Sequence, residues 1–205
     1  MEGDAFRLSD ELSRLASFAT LWTRRQSSST ASIPDAFLTN GVPCAFYIHE
    51  MPRAVVDSPI GPLGLVASES ELQAVFFDGR RVRAEGSSPV LDEAARQLDA
   101  YFAGELVTFD LPLELHGTDF QRRCWLALAT IPYGQTVSYG EQARRLGLGS
   151  DSARAVGAAN GQNPLPLVLP CHRVIGADGS LTGFGGGLHV KRFLLEHEGA
   201  LLPLG

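Results

Sequence analysis

The residues with the most to offer chemically sit in one run, Leu169-Pro170-Cys171-His172-Arg173-Val174. A cysteine acts as a nucleophile only as its thiolate, and an adjacent histidine or a helix N-terminus lowers the pKa that controls proton release. Pro170 has no backbone N–H and stiffens the approach to the thiol. Neighbouring side chains on an extended chain point to opposite sides, so Cys171 and His172 communicate only through a tight turn or a bridging water. A histidine serving as base also needs an orienting carboxylate, and Glu198 and Glu196 are the nearest in sequence. The same pair fits a buried cysteine beside a surface histidine, so the surrounding elements must decide between chemistry and packing.

Those elements are legible on both sides of the pair. Thr118 to Gln121 has the spacing of a capping box opening a helix through Cys124, Trp125 and Leu128, ended by Pro132-Tyr133-Gly134. Ser138 to Glu141 reads as a second capping box, opening a short helix to about Leu146. After Gly147-Leu148-Gly149, Ser150 or Ser152 starts a third helix through Arg154, Val156 and Ala159. Two short helices joined by a tight glycine turn are the pattern of a helix-turn-helix. An apolar run from Pro164 to Val168 leads into Cys171, a glycine-rich loop spans Gly183 to Gly187, and a last helix covers Leu188 to His197 with Leu194 and Leu195 inward.

The first half is different in texture. Ala54 to Pro59 and Leu63 to Ala67 flank a turn and predict a hairpin, and Leu72 to Phe77 a third strand. Ser88-Pro89 starts a helix whose Leu91, Ala95, Leu98 and Phe102 share a face, with Gly104 as its stop. The alternation of Phe109 to Leu115 predicts an edge strand, placed at the edge by Pro112. Before all this, Leu8, Leu12, Leu15, Ala19 and Trp22 recur at helical spacing, and Gln26 to Ser32 is a serine-rich linker. The acidic start argues against a signal or transit peptide.

Composition narrows the function classes. The chain has 205 residues and a net charge of -6, which taken alone argues against a nucleic-acid partner. The charge is uneven, however: residues 118–205 carry 8 basic and 6 acidic side chains, the preceding residues 9 and 17. That asymmetry is compatible with a nucleic-acid face on the C-terminal part. Three cysteines without CxxC spacing argue against a disulfide scaffold or a zinc cluster and for a reducing compartment; Cys124 reads as core and Cys44 has no evident partner. The histidines lack ligand spacing, so neither a metal nor a cofactor is expected, and no apolar run is long enough to span a bilayer.

Around Cys171 the chain closely resembles the methylated-DNA–protein-cysteine methyltransferases, the O6-alkylguanine-DNA alkyltransferases. The resemblance is carried by Pro170-Cys171-His172-Arg173-Val174 together with Ile131-Pro132-Tyr133-Gly134, Val137-Ser138-Tyr139, Ala153-Arg154-Ala155-Val156-Gly157, Asn160-Gly161, Asn163-Pro164, Gly183-Phe184-Gly185-Gly186-Gly187 and Leu194-Leu195 with His197-Glu198-Gly199. It implies an α+β protein. Residues 51–116 would form a small ribonuclease H-like domain with an antiparallel sheet and helix. Residues 117–205 would form a helical domain with a winged-helix-like helix-turn-helix for DNA binding and alkyl transfer. Residues 1–50 have no counterpart in the family, and Met51 looks like a family-style start.

By resemblance the protein is a suicidal DNA-repair methyltransferase. It flips an O6-alkylated guanine, or an O4-alkylated thymine, out of the duplex and moves the alkyl group irreversibly to Cys171. His172 would be the base, acting through a water, with Glu198 orienting it and Asn163 as the hinge between the helix-turn-helix and the cysteine loop. Arg154 would fill the gap in the base stack, with Ala153, Ala155 and Gly157 allowing close approach to the groove. Tyr139 would press on the flanking phosphate and donate towards the flipped base. Cys171 and Val174 would read the guanine amino group through their carbonyls, and Phe184, Gly185 and Gly186 would complete the pocket. The implied partner is double-stranded DNA containing alkylated guanine, engaged by a cytoplasmic monomer without a membrane. The competing reading is a helix-turn-helix regulator or damage sensor that uses the cysteine without stoichiometric repair.

Overall fold

In a computed structural model of the protein, residues 51–79 and 82–202 are described. The expected leading helix, the serine-rich linker and Cys44 lie outside them. The hairpin and third strand form as expected: β1 (Arg53–Val56), β2 (Leu63–Ala67) and β3 (Leu72–Phe76) make one antiparallel sheet in that order. Ala54 faces Leu65, which faces Val75 on its other side. The central strand β2 is buried along its whole length, while β1 alternates towards solvent. Gly61 turns the hairpin at φ +99, a region that side chains with a Cβ rarely enter.

Helix α1 (Pro89–Phe102) packs against this sheet. Ser88 caps it and Pro89 occupies its first turn, where a missing N–H costs nothing. Its inward face is Val90, Leu91, Ala94, Leu98 and Tyr101. The expected Ala95 and Phe102 are only partly buried, because the i, i+4, i+7 line from Ala94 fixes the face one position away. The edge strand expected over Phe109 to Leu115 is not formed. Only Leu72 and Leu113 bridge, in parallel, with the Leu72 N–H donating to Pro112 O and Glu114 N–H to Leu72 O. Pro112 cannot add a further rung to the ladder.

The remainder is helical: α2 (Asp119–Leu128), α3 (Tyr139–Arg145), α4 (Ala153–Asn160) and α5 (Leu188–His197). The Thr118–Gln121 capping box is complete. At α3 it is half made. Ser138 Oγ accepts from Glu141 N–H, while the Glu141 carboxylate turns to Arg144 and Arg145. Ser152 makes no side-chain cap; a 3-10 turn over Ser150–Ser152 leads into α4 instead. Two residues of β4 (Val137–Ser138) pair in parallel with β5 (Val174–Ile175), which clips the helix-turn-helix to the segment after Cys171.

One hydrophobic core crosses both halves, from Leu63, Leu65 and Leu98 to Trp125, Ile131, Leu169 and Leu194. A smaller one joins Cys124, Ala143, Val156 and Ala159, so Cys124 is core as its sequence context suggests. The helix-turn-helix is also locked by polar contacts. Gln142 Nε2 donates to Cys124 O at 3.0 Å, and Asn160 Nδ2 donates to Gln142 Oε1 at 2.7 Å, joining α2, α3 and α4. Trp125 Nε1 donates to Ala159 O at 2.7 Å. Replacing Gln142 by leucine leaves the buried Asn160 amide without its partner. Denaturant unfolding of Gln142→Leu is expected to show a loss of about 1–3 kcal/mol, with the fold retained.

Candidate active site

Cys171 begins a 3-10 turn, Cys171–Arg173. The chain reaches it through Pro164 to Val168, where Leu167 is held at φ +76, a left-handed conformation that costs a non-glycine residue about 1–2 kcal/mol. Asn163 clamps this approach: its Nδ2 donates to Leu169 O at 2.7 Å and its Oδ1 accepts from Leu165 N–H at 3.0 Å. It also favours the Cys171 thiolate, pulling the thiol pKa down against burial. The sheet braces the same segment, since Val75 N–H donates to Pro164 O at 2.9 Å. These contacts fix Cys171 at the wall of an open cleft of about 920 Å³, shared with Asn163, Pro166, Phe77, Phe184, Gly185 and Gly186.

The tight turn sends consecutive side chains apart. Cys171 faces the cleft, while His172 is fully buried behind it. His172 Nε2 lies 2.8 Å from Glu198 Oε1. Arg173 grips the same carboxylate with Nε on Oε2 at 2.8 Å and Nη2 on Oε1 at 3.0 Å, and its Nη1 donates to Ile131 O. Gly134 N–H and the Tyr101 hydroxyl also donate to Glu198. Burial alone would raise the Glu198 pKa, but the hydrogen bonds and charges of His172 and Arg173 outweigh it and hold the carboxyl at about 2. Glu198 is therefore ionised and acceptor-only, so the proton on His172 sits at Nε2 and Nδ1 carries the free lone pair. Nδ1 is buried and has no hydrogen-bond partner among the described residues. Burial lowers the His172 pKa, against the pull of Glu198, which keeps the ring neutral and able to accept a proton.

Lys191 is a third participant. It is fully buried, and its Nζ donates to Val174 O at 2.6 Å and Thr182 O at 2.9 Å. Burial pulls its ammonium down to about 8, opposed by the charge that Cys171 carries once it is a thiolate. Burial likewise pushes the Cys171 thiol up, while the Asn163 hydrogen bond and the Lys191 charge pull it down. The result is a thiol that stays protonated at rest, next to groups that favour its thiolate.

The sequence-predicted residues divide into two groups. Cys171, Asn163, Phe184, Gly185 and Gly186 line the cleft, with His172 and Glu198 directly behind. Val174 is fully buried, and its carbonyl already accepts from Lys191. Arg154 and Ala155 stand exposed on α4, around a separate shallow hollow with Ala153 and Ala158. Tyr139 links the groups. Its ring would meet a Cβ at Gly157 at 3.5 Å, and its hydroxyl lies 3.5 Å from Thr182 O in the loop before Phe184. Glu196 is not the orienting acid; it faces Arg192 on its own helix.

Three site residues went unflagged in the sequence: Tyr101, Arg173 and Lys191. Lys191 had a signal, since it shares the i, i+3, i+4, i+7 face of α5 with Leu194, Leu195 and Glu198. A lysine on an inward stripe is either a packing fault or a buried functional cation. Among the described residues no cluster of three or more His, Cys, Asp or Glu could hold a metal ion.

The depressed Glu198 pKa has a direct consequence for stability. The unfolded carboxyl titrates near 4.5 and the folded one near 2. Its stabilisation is complete above pH 4.5 and is lost as pH falls towards 2. Denaturant unfolding is expected to show wild type well above Glu198→Gln at neutral pH, with the gap closing between pH 4.5 and 2. A constant gap across that window would contradict the ion-pair account.

The family model for the 6-O-methylguanine DNA methyltransferase DNA binding domain matches residues 119–200, and that for its ribonuclease-like domain residues 51–115. A methylated-DNA–protein-cysteine methyltransferase of Mycobacterium tuberculosis is 51% identical over 153 residues, covering 72% of this chain and 92% of the relative. The one from Methanosarcina acetivorans is 47% identical over 153 residues, covering 72% and 97%. The crystal structure of the M. tuberculosis protein, named an O6-methylguanine methyltransferase, superposes with a TM-score of 0.67 at 49% identity over 76% of this chain and 96% of that one. A structure of the M. tuberculosis protein in complex with DNA matches with the same TM-score at 51% identity, covering 72% and 92%. With an α+β fold that joins a ribonuclease-like sheet domain to a helical DNA-binding domain, this chain belongs to the methylated-DNA–protein-cysteine methyltransferase family.

Proposed function

We propose that the protein repairs O6-alkylguanine in duplex DNA by transferring the alkyl group to its own Cys171. The observation that carries this reading is the buried array behind the thiol: an ionised Glu198 forces the proton of His172 onto Nε2 and leaves Nδ1 as a neutral acceptor. In the reaction the thiol proton passes to Nδ1 through a bridging water. The Cys171 sulfur then forms a bond to the alkyl carbon as the bond from that carbon to O6 breaks, and the electron pair stays on guanine, which takes up one proton. The thioether has no route back, so each molecule acts once.

The reacting carbon lies inside a duplex, so the base must be turned out into the cleft. Arg154, exposed on α4, fills the space left in the stack, and the small side chains Ala153, Ala155 and Gly157 let the helix approach the groove. Tyr139 takes the flanking phosphate and a ring nitrogen of the flipped base. The carbonyls of Cys171 and Val174 each have a lone pair left for the guanine amino group, with the backbone near Gly185 facing O6. Asn163 ties the recognition helix to the cysteine loop. Residues 51–116 and 117–205 act as two domains, and residues 1–50 are a dispensable extension. The protein works as a monomer in the reducing cytoplasm, where Cys171 stays a free thiol. Among the described residues no helix is long and apolar enough to cross a membrane.

Incubation with stoichiometric duplex containing O6-methylguanine is expected to add the mass of one methylene to the peptide holding Cys171. An unmodified Cys171 would overturn the reading. Cys171→Ser is expected to abolish transfer and keep DNA binding. Arg154→Ala is expected to weaken binding to the damaged duplex and slow transfer by about tenfold or more, since unstacking costs a few kcal/mol that the wedge must offset. Gel-shift and single-turnover assays check both.

A further inference from the structure

We propose that Tyr101 is a positioning residue for alkyl transfer, which from the opposite half of the molecule fixes Glu198 and sets how strongly His172 holds a proton. The proposal rests on the reading of Cys171 as acceptor and His172 as its base. Tyr101 lies on α1, and 97 positions separate it from its partner. Its hydroxyl donates at 2.8 Å to Glu198 Oε1, the same oxygen that accepts His172 Nε2 at 2.8 Å. A donor on that oxygen draws charge away from the imidazole contact, so Tyr101 competes with the His172 proton for one acceptor.

The hydroxyl is held in place. Tyr101 is 1% exposed, and its ring packs against Phe102, Phe109, Tyr133 and His197 at centroid distances of 5.1, 5.4, 6.2 and 5.2 Å. His197 Nε2 lies 2.8 Å from Tyr101 O, and Tyr133 donates to His197 O, so the end of α5 that carries Glu198 is fastened to the end of α1. Burial and the nearby Glu198 charge push the Tyr101 phenol up, which keeps it a donor at every working pH. The other groups facing Glu198 are His172 and Arg173 from the 3-10 turn and Gly134 N–H, with Tyr133 beside them; Lys191 from α5 acts on His172. All of these remain when the Tyr101 hydroxyl is deleted, so Tyr101→Phe isolates a single donor.

Without that donor Glu198 is a stronger acceptor for His172 alone. His172 then keeps a proton to higher pH, and less of it is free to act as base at the acid end. The test is the single-turnover rate on O6-methylguanine duplex from pH 5.5 to 9 for wild type and Tyr101→Phe, with binding to undamaged duplex and thermal unfolding alongside. The variant is expected to be slower by about threefold to tenfold at pH 6 and by clearly less at pH 8, an effect within the net worth of one ordinary hydrogen bond because Tyr101 acts on His172 only through Glu198. A packing defect alone would slow transfer by one factor at every pH, and that result, or an unchanged rate, overturns the proposal. If wild type does not alkylate Cys171, the underlying reading fails instead. Should Tyr101→Phe not fold, the wild-type hydroxyl proton of Tyr101 is sought by NMR: a downfield, slowly exchanging resonance supports the bond to Glu198, and a rapidly exchanging one overturns it.

Discussion

The structure turns on one buried carboxylate. Glu198 accepts from His172, twice from Arg173, from Tyr101 and from Gly134 N–H. A charge taken out of water is tolerable only when its lone pairs are filled by well-placed donors. Meeting that requirement dictates the local fold. The 3-10 turn must present His172 and Arg173 together, the Tyr133-Gly134 turn must offer its N–H, α5 must end where it does, and α1 must lie against that end. Removing any donor leaves part of a buried charge unmatched, so the elements around Glu198 are mutually dependent even where they share little apolar area.

The same constraint separates the two jobs of the C-terminal half. The exposed face of α4 carries Arg154 and small residues, while its buried face is pinned by Val156, Ala159 and Asn160 to α2 and α3. Asn163, three residues past α4, then clamps the cysteine loop. A displacement of α4 strains that clamp. In the reading proposed above, DNA contact on α4 and the position of the thiol are coupled through this short path and not through a flexible tether.

Much of this was legible in the sequence because it is written in local patterns. The hairpin, the Ser88-Pro89 helix start, the Thr118 capping box and the paired short helices follow from turn chemistry and periodicity. The motif around Cys171 pointed to Glu198 and Asn163, and the structure places them beside it. The misreadings are also physical. Phe109 to Leu115 alternates like a strand, yet its proline permits one bridge only. The face of α1 shifted by one position because Tyr101, a residue with a polar tip, is more buried than Phe102. Tyr101 was invisible as a site residue for a different reason: its partner lies 97 positions away, and no periodicity encodes a contact between two domains.

A thiol raised in pKa by burial is poorly suited to nucleophilic attack at rest, since only the thiolate reacts. For the single-use transfer proposed above, the arrangement is favourable. A resting thiolate on an open cleft would be lost to oxidation or stray alkylating agents, and a spent acceptor is not regenerated. Here desolvation holds the proton on sulfur, while Lys191, Asn163 and the neutral His172 Nδ1 stand ready to stabilise its departure. In the proposed reaction a base occupying the cleft would displace its water, and in that lower dielectric the lysine charge and the Glu198–His172 pair would act on the sulfur more strongly than in the open cleft. Nucleophilicity is then conditional on the presence of the target, which a constitutively depressed cysteine pKa would not provide.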